Sequence, residues 1–179
     1  MRRLILFRHA KAESRRAGGG DEDRQLDSTG QAEAQATGHW LATHGIAPQI
    51  VLVSPSMRTR QTWEAVADML PKTRLEIVDC LYDALPEEIS AVIDDVASEA
   101  ETVMVIAHNP GLQEVAVGLL SDAQSPGLGL EAVSAAFPTG AVALLDMADP
   151  AGPRLEALYA PRPVKSQYAE AWAGQEDEP

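Results

Sequence analysis

Two histidines and two arginines of this chain stand just beyond apolar runs, where a strand would end. Leu4-Ile5-Leu6-Phe7 leads into Arg8-His9. Ile50-Val51-Leu52-Val53 leads into Ser54-Pro55-Ser56-Met57-Arg58, and the run at 102–107 leads into His108-Asn109-Pro110-Gly111. An imidazole is a nucleophile and proton carrier near neutral pH. A guanidinium is a fork of N–H donors matched to phosphate oxygens. Ligands of open α/β sheets bind beyond the carboxyl ends of the strands, so parallel strands would bring Arg8, His9, Arg58 and His108 to one rim. Helix-start chemistry points the same way. Ser54 reads as an N-cap with Pro55 in the first helical position, which places Arg58 near the end of the first turn, and Asn109-Pro110 repeats that pattern. Unpaired N–H groups and the positive end of a helix dipole both favour an anion. Each feature alone has an ordinary reading: a chance Arg-His pair, a satisfied buried histidine, a common helix start. Their joint placement at three strand ends predicts a phosphate pocket.

Positioning these groups requires a sheet. Short apolar runs at 4–7, 50–53, 74–78, 102–107, 141–147 and 155–160 read as strands. Four of them are nearly continuous in apolar residues, as strands covered on both faces are. Helical periodicity fills the intervals. A capping-box spacing at Ser28-Thr29-Gly30-Gln31 opens a stretch reaching about His44. Trp63, Val66, Ala67 and Leu70 share one helical face, as do Ile89, Ile93, Val96 and Ala97, and then Leu112, Val115, Ala116 and Leu119. This alternation predicts an α/β protein, a three-layer α/β/α arrangement with a mostly parallel central sheet. Residues 17–23 and 121–140 read as loops, the second as a rim or lid. One domain is expected over residues 1–160, with a polar tail at 161–179.

Charge narrows the partners. The formal net charge is −13, which disfavours nucleic acid and acidic membranes. Seven of the fourteen Lys and Arg fall within the first 24 positions, and none lies from Leu75 through Pro153, where fourteen Asp and Glu do. A small anion suits the first region, while an extended polyanion meets a hostile flank; the plainer reading is that acidity maintains solubility. The opening MRRLILF is too short an apolar run for a signal peptide, and no stretch approaches the ~20 apolar residues of a membrane span. With a single cysteine, Cys80, an internal disulfide is excluded, and a cytoplasmic protein is expected.

The segments FRHAKA, DRQLDSTGQAEA, SPSMRTRQT and IAHNPG together resemble the histidine phosphatase (phosphoglycerate mutase-like) superfamily. More narrowly they are similar to its small SixA-type phosphohistidine phosphatase branch, over roughly residues 3–120. The family's usual Arg-His-Gly is here Arg8-His9-Ala10, a departure at any position that requires positive φ. The resemblance implies His9 as nucleophile, forming a phosphohistidine intermediate that water hydrolyses. It implies Arg8 and Arg58 on the equatorial oxygens, His108 as a further hydrogen-bond donor, and Arg24 near the pocket. Neighbouring cations would keep His9 unprotonated. No metal and no cofactor are implied.

A proton donor is the open role. Larger family members place a carboxylate after the third strand, where this chain has Asp83 and, a turn later, Glu87; both also read as solvated loop and helix-start acids. An alkoxide leaving group needs a proton, whereas imidazole, with a reference pKa of ~6.5, departs from a P–N bond with less help. A weak or missing acid therefore favours phosphohistidine on a protein partner as substrate. The rival readings are a small-molecule phosphomonoesterase and a non-catalytic phosphate-binding module. His39 and His44 lie about 140° apart on one helix and cannot share a metal. Lys11 reads as an exposed loop lysine within reach of substrate, Cys80 as core, and Trp40 and Trp63 as packing.

Overall fold

The computed structural model describes residues 1–14, 18–123 and 128–161. Its elements in chain order are β1 (Arg3–Arg8), α1 (Ser28–Thr43), β2 (Ile50–Val53), α2 (Met57–Ala67), β3 (Arg74–Ile77), α3 (Pro86–Val96), β4 (Thr102–Ala107), α4 (Gly111–Ser121), α5 (Leu128–Ala135), β5 (Val142–Asp146) and β6 (Arg154–Tyr159). A single 3-10 turn at Asp79–Leu81 follows β3. The strands form one sheet in the order β3-β2-β4-β1-β5-β6. Pairing is parallel through β3, β2, β4 and β1 and antiparallel on either side of β5, so β5 alone runs against the rest. The predicted mostly parallel α/β sheet is present.

The alternation of buried side chains explains the three layers. On one face Leu4, Leu6, Leu52, Val103 and Val105 pack with Ile89 and Ile93 of α3, Leu112 and Val115 of α4 and Val133 of α5. On the other, Ile5, Phe7, Val51, Val53, Met104 and Ile106 pack with Ala34 and Leu41 of α1 and Trp63 and Val66 of α2. Each large side chain taken fully from water contributes ~1.5–3 kcal/mol. That places the firmest part of the molecule under β1, β2 and β4. Edge strand β3 is more open, with Leu75 and Ile77 exposed.

Several local expectations are corrected. The 121–140 stretch is not one loop, because α5 occupies Leu128–Ala135. Its glycines mask the helix in the sequence, and Gly129 has a packing reason: a Cβ there would stand 2.9 Å from Leu155 Cβ. Helix α1 is capped by Asp27, whose carboxylate accepts from the Gly30 N–H at 2.7 Å, one residue before the predicted box. Cys80 is exposed rather than core, since it sits in the turn after the edge strand. Trp63 is buried and Trp40 stacks on Tyr159 at 4.8 Å between ring centroids. The expected tail beyond Pro161 lies outside the described residues. Among those residues no helix is long and apolar enough to cross a membrane.

Glycine at position 30 is a steric requirement. A Cβ there would fall 1.9 Å from the Lys11 carbonyl oxygen, in the strap that also accepts the Asp27 N–H at 3.1 Å. Backbone cannot yield as a flexible side chain can, so Gly30→Ala is expected to destabilise by about 1–3 kcal/mol. At ~2–4 °C per kcal/mol for a domain of this size, thermal unfolding reads the loss directly, and an unchanged midpoint would refute it.

Candidate active site

Strands β2, β4 and β1 are immediate neighbours and run in one direction, so at ~4.8 Å per strand their carboxyl ends span about 10 Å. That adjacency gathers residues 8–9, 54–58 and 107–108 although 100 positions of sequence separate the first from the last. The His9 and His108 rings lie 5.1 Å apart between centroids. His9 N–H donates to Ala107 O at 3.1 Å, pinning the end of β1 to the end of β4. The next residue, Ala10, donates its N–H to Thr62 Oγ1 at 3.0 Å, and that hydroxyl donates to Arg58 O at 2.6 Å. One buried threonine thus couples the His9 turn to α2. Ala10 replaces the family glycine without strain, because Asp83 is the one non-glycine residue with positive φ among the described residues.

His9 is presented in a defined tautomer. Its Nδ1 lies 2.8 Å from Ala10 O, and since a carbonyl only accepts, Nδ1 carries the hydrogen. Nε2 then keeps its lone pair. Burial first, then the charges of Arg58, Arg8 and Arg24, hold the imidazole down to about 4 against the partial opposition of the Ala10 hydrogen bond. The cations act as expected, yet desolvation is the larger cause. At neutral pH the ring is uncharged, with its lone pair on Nε2.

His108 is buried and its Nε2 lies 2.8 Å from Ser54 Oγ. Burial, followed by His9 and Arg58, lowers it to about 3. Tyr82 meets it edge-on at 5.6 Å. The predicted caps therefore do other work. Ser54 spends its hydroxyl on His108, α2 begins after Ser56, and Arg58 is its second residue. Asn109 donates its amide to Gln113 Oε1 at 3.0 Å and to Phe137 O at 3.1 Å rather than capping α4. The same Phe137 carbonyl accepts from Arg8 Nη1 at 2.8 Å, which joins the rim at 8 to the rim at 109. Arg8 is lowered by burial, with Glu33 opposing, and remains a cation.

Arg58 is 4% exposed, and its partner was not foreseen. Nη1 donates to Asp21 O at 2.8 Å, and Nη2 pairs with Asp21 Oδ2 at 3.0 Å. Tyr82 donates to that same Oδ2 at 2.9 Å, and Arg24 Nη1 pairs with Oδ1 at 3.0 Å. The Arg24, Tyr82 and Arg58 contacts hold the Asp21 carboxyl down to about 2 against partial desolvation. Arg24 is anchored besides by Nε donating to Glu13 O at 2.7 Å. The structure so joins Arg8, His9, Arg24, Arg58 and His108 in one network. Arg8 Nε, Arg58 Nε and His108 Nδ1 are buried without a protein partner, a concentration of unsatisfied polar atoms that folded proteins avoid outside functional sites.

Asp83 and Glu87 are both exposed, Asp83 in the left-handed backbone region at φ 48°. Neither joins the network by hydrogen bond or ion pair. Lys11 pairs with Asp27 at 3.3 Å, consistent with an exposed loop lysine. Among the described residues no three His, Cys, Asp or Glu side chains gather as metal ligands. Asp21, Tyr82 and Thr62 escape the sequence reading, and Ser54 reads there only as an N-cap, because the contacts that define them span 37 to 61 positions; the acidic Asp21-Glu22-Asp23 run beside Arg24 is the one visible cue.

Comparison with known proteins agrees with this geometry. Residues 4–84 match the model of the histidine phosphatase superfamily (branch 1). A crystal structure from Agrobacterium tumefaciens assigned as the phosphohistidine phosphatase SixA superposes with a TM-score of 0.80 at 30% identity, covering 89% of this chain and 97% of that one. A structure from Nakamurella multipartitia with the same assignment gives 0.78 at 32% identity, covering 89% and 96%. An uncharacterised protein of Mycobacterium tuberculosis is 32% identical over 142 residues, or 79% of this chain and 87% of that one. With its strand ends, its Arg-His pair and its second histidine arranged in this way, the chain belongs to the histidine phosphatase superfamily, in the SixA-type branch.

Proposed function

We propose that the protein is a phosphatase that transfers a phosphoryl group to His9 and dephosphorylates phosphohistidine carried on a protein partner. His9 Nε2 attacks the phosphorus of a phosphohistidine protonated on its other ring nitrogen while the P–N bond breaks, and the leaving ring keeps the bonding pair and departs as neutral imidazole. Water then attacks phosphorus, the P–Nε2 bond breaks with its pair returning to Nε2, and the water's oxygen and protons leave with inorganic phosphate, restoring neutral His9. Arg8 and Arg58 face charge on the equatorial oxygens, and Arg24 adds positive potential at the entrance. With Ser54 donating to His108 Nε2, Nδ1 carries that ring's proton and donates to a phosphoryl oxygen. These residues supply charge and orientation from the protein itself, and the reading is of a metal-independent reaction in the cytoplasm.

The observation that carries the substrate class is the state of the site's carboxylate. Asp21 is held ionised down to about pH 2 and so has no proton to give at neutral pH, while Asp83 and Glu87 point into solvent-exposed positions outside the network. A site whose described residues place no protonated carboxyl in the network handles a P–N bond better than an alkyl P–O bond, because imidazole is a far weaker base than an alkoxide. The test compares a phosphorylated histidine-bearing domain with a panel of sugar phosphates. A kcat/KM at least about tenfold higher for the protein substrate is expected. A sugar phosphate turned over as well or better would establish the small-molecule phosphomonoesterase instead.

A further inference from the structure

We propose that Asp21 is a positioning residue for Arg58: it holds one face of the guanidinium so that the other face meets the phosphoryl group, and Tyr82 locks Asp21 in that pose. The inference rests on the phosphatase reading above. A guanidinium offers two bidentate faces, one through both η nitrogens and one through Nε with a neighbouring η nitrogen. Asp21 engages both η nitrogens, its carbonyl accepting from Nη1 at 2.8 Å and its carboxylate pairing with Nη2 at 3.0 Å. The second face contains Nε, buried and without a partner. What remains for an oxyanion is the Nε face.

The alternative role for such a carboxylate is a competitor that must leave before phosphate enters. Three contacts favour the fixed clamp. Part of the hold on Arg58 is a backbone carbonyl, which cannot swing away as a side chain can. The next residue, Glu22, accepts the Met57 N–H at 2.8 Å, so the loop completes the first turn of α2 instead of merely resting on it. Tyr82 grips Oδ2 at 2.9 Å while its ring packs 5.7 Å from Arg58 Cζ. An arginine side chain gives up considerable rotamer freedom when fixed, and Asp21 removes that disorder before substrate arrives.

The experiment is a mutant cycle read by kcat and KM for an aryl phosphate and by inhibition with inorganic phosphate. Asp21→Ala is expected to lower kcat by about 10- to 100-fold, the range produced by small misplacements of a catalytic group, and to weaken phosphate inhibition. Tyr82→Phe should lower kcat by about 3- to 10-fold, as loss of one hydrogen bond does. The double variant should be no worse than Asp21→Ala alone, and Asp21→Ala added to Arg58→Ala should change nothing further. Faster turnover or tighter phosphate binding in Asp21→Ala would make it a competitor and overturn the proposal. So would effects that multiply in either double variant. Tyr82→Phe retains the ring and its packing, so if Asp21→Ala does not fold, a wild-type kcat in Tyr82→Phe overturns the lock. A wild-type chain that neither hydrolyses the ester nor binds phosphate would remove the phosphatase reading, and the clamp with it.

Discussion

Substitution of His9 by alanine is expected to lower aryl phosphate turnover by about 10³-fold or more, the scale seen when a covalent nucleophile is deleted. The geometry leaves little to replace it. Nδ1 is committed to the Ala10 carbonyl at 2.8 Å, so Nε2 alone carries a lone pair at the meeting point of β1, β2 and β4. His108 is a poor substitute, because its Nε2 is already engaged with Ser54 Oγ at 2.8 Å. Quenching wild type during turnover in alkali, where a P–N bond survives, should trap one phosphoryl group per chain, and the alanine variant should trap none. Equal rates, or equal labelling, in the two proteins would remove His9 from the chemistry.

The same substitution has a stability signature of opposite sign. In the folded protein His9 binds a proton only near pH 4, whereas an unfolded histidine binds one near ~6.5. Between those values the unfolded state holds more protons, so wild-type stability falls as pH drops from about 6.5 through about 4. Alanine removes that contribution, and the inactive variant should resist acid better than the active protein across this window. Loss of activity together with undiminished acid stability separates a missing nucleophile from a damaged fold.

The positions that could be read in advance are those whose neighbours in space follow from local rules. Leu4–Phe7, Ile50–Val53 and 102–107 are buried on both faces and so are continuously apolar, which makes them legible as central strands. Once they are parallel and adjacent, the convergence of Arg8, His9, Arg58 and His108 follows. The failures have a common cause. Ser54 has the local grammar of an N-cap, yet its hydroxyl bonds His108, 54 positions away, and a long-range partner outcompetes the local one. Helix α5 was hidden because Gly129 weakens helical propensity for the sake of contact with Leu155. Asp21 looked like one acid among many, and its role exists only once 24, 58 and 82 surround it.

Arg58→Ala is expected to lower kcat/KM by about 10²- to 10³-fold, the range for deleting one preorganised donor to a developing charge, and also to move the pH profile. Arg58 is the largest of the charges that depress His9, ahead of Arg8 and Arg24, and it acts on His108 as well. Burial, the larger cause for both rings, stays in place. Removing the cation therefore raises the pKa of His9 from about 4 part of the way towards 6.5. Attack needs the neutral ring, and kcat/KM reports the free enzyme, so the acid limb of the residual activity should shift to higher pH. Arg58→Lys separates the two roles of this residue. An ammonium keeps the charge but not the planar fork, so its acid limb should stay nearer the wild-type position while the rate remains low. If Arg58→Ala lost rate with its acid limb unmoved, Arg58 would bind phosphate without tuning the nucleophile, and the low pKa of His9 would be the work of burial with Arg8 and Arg24.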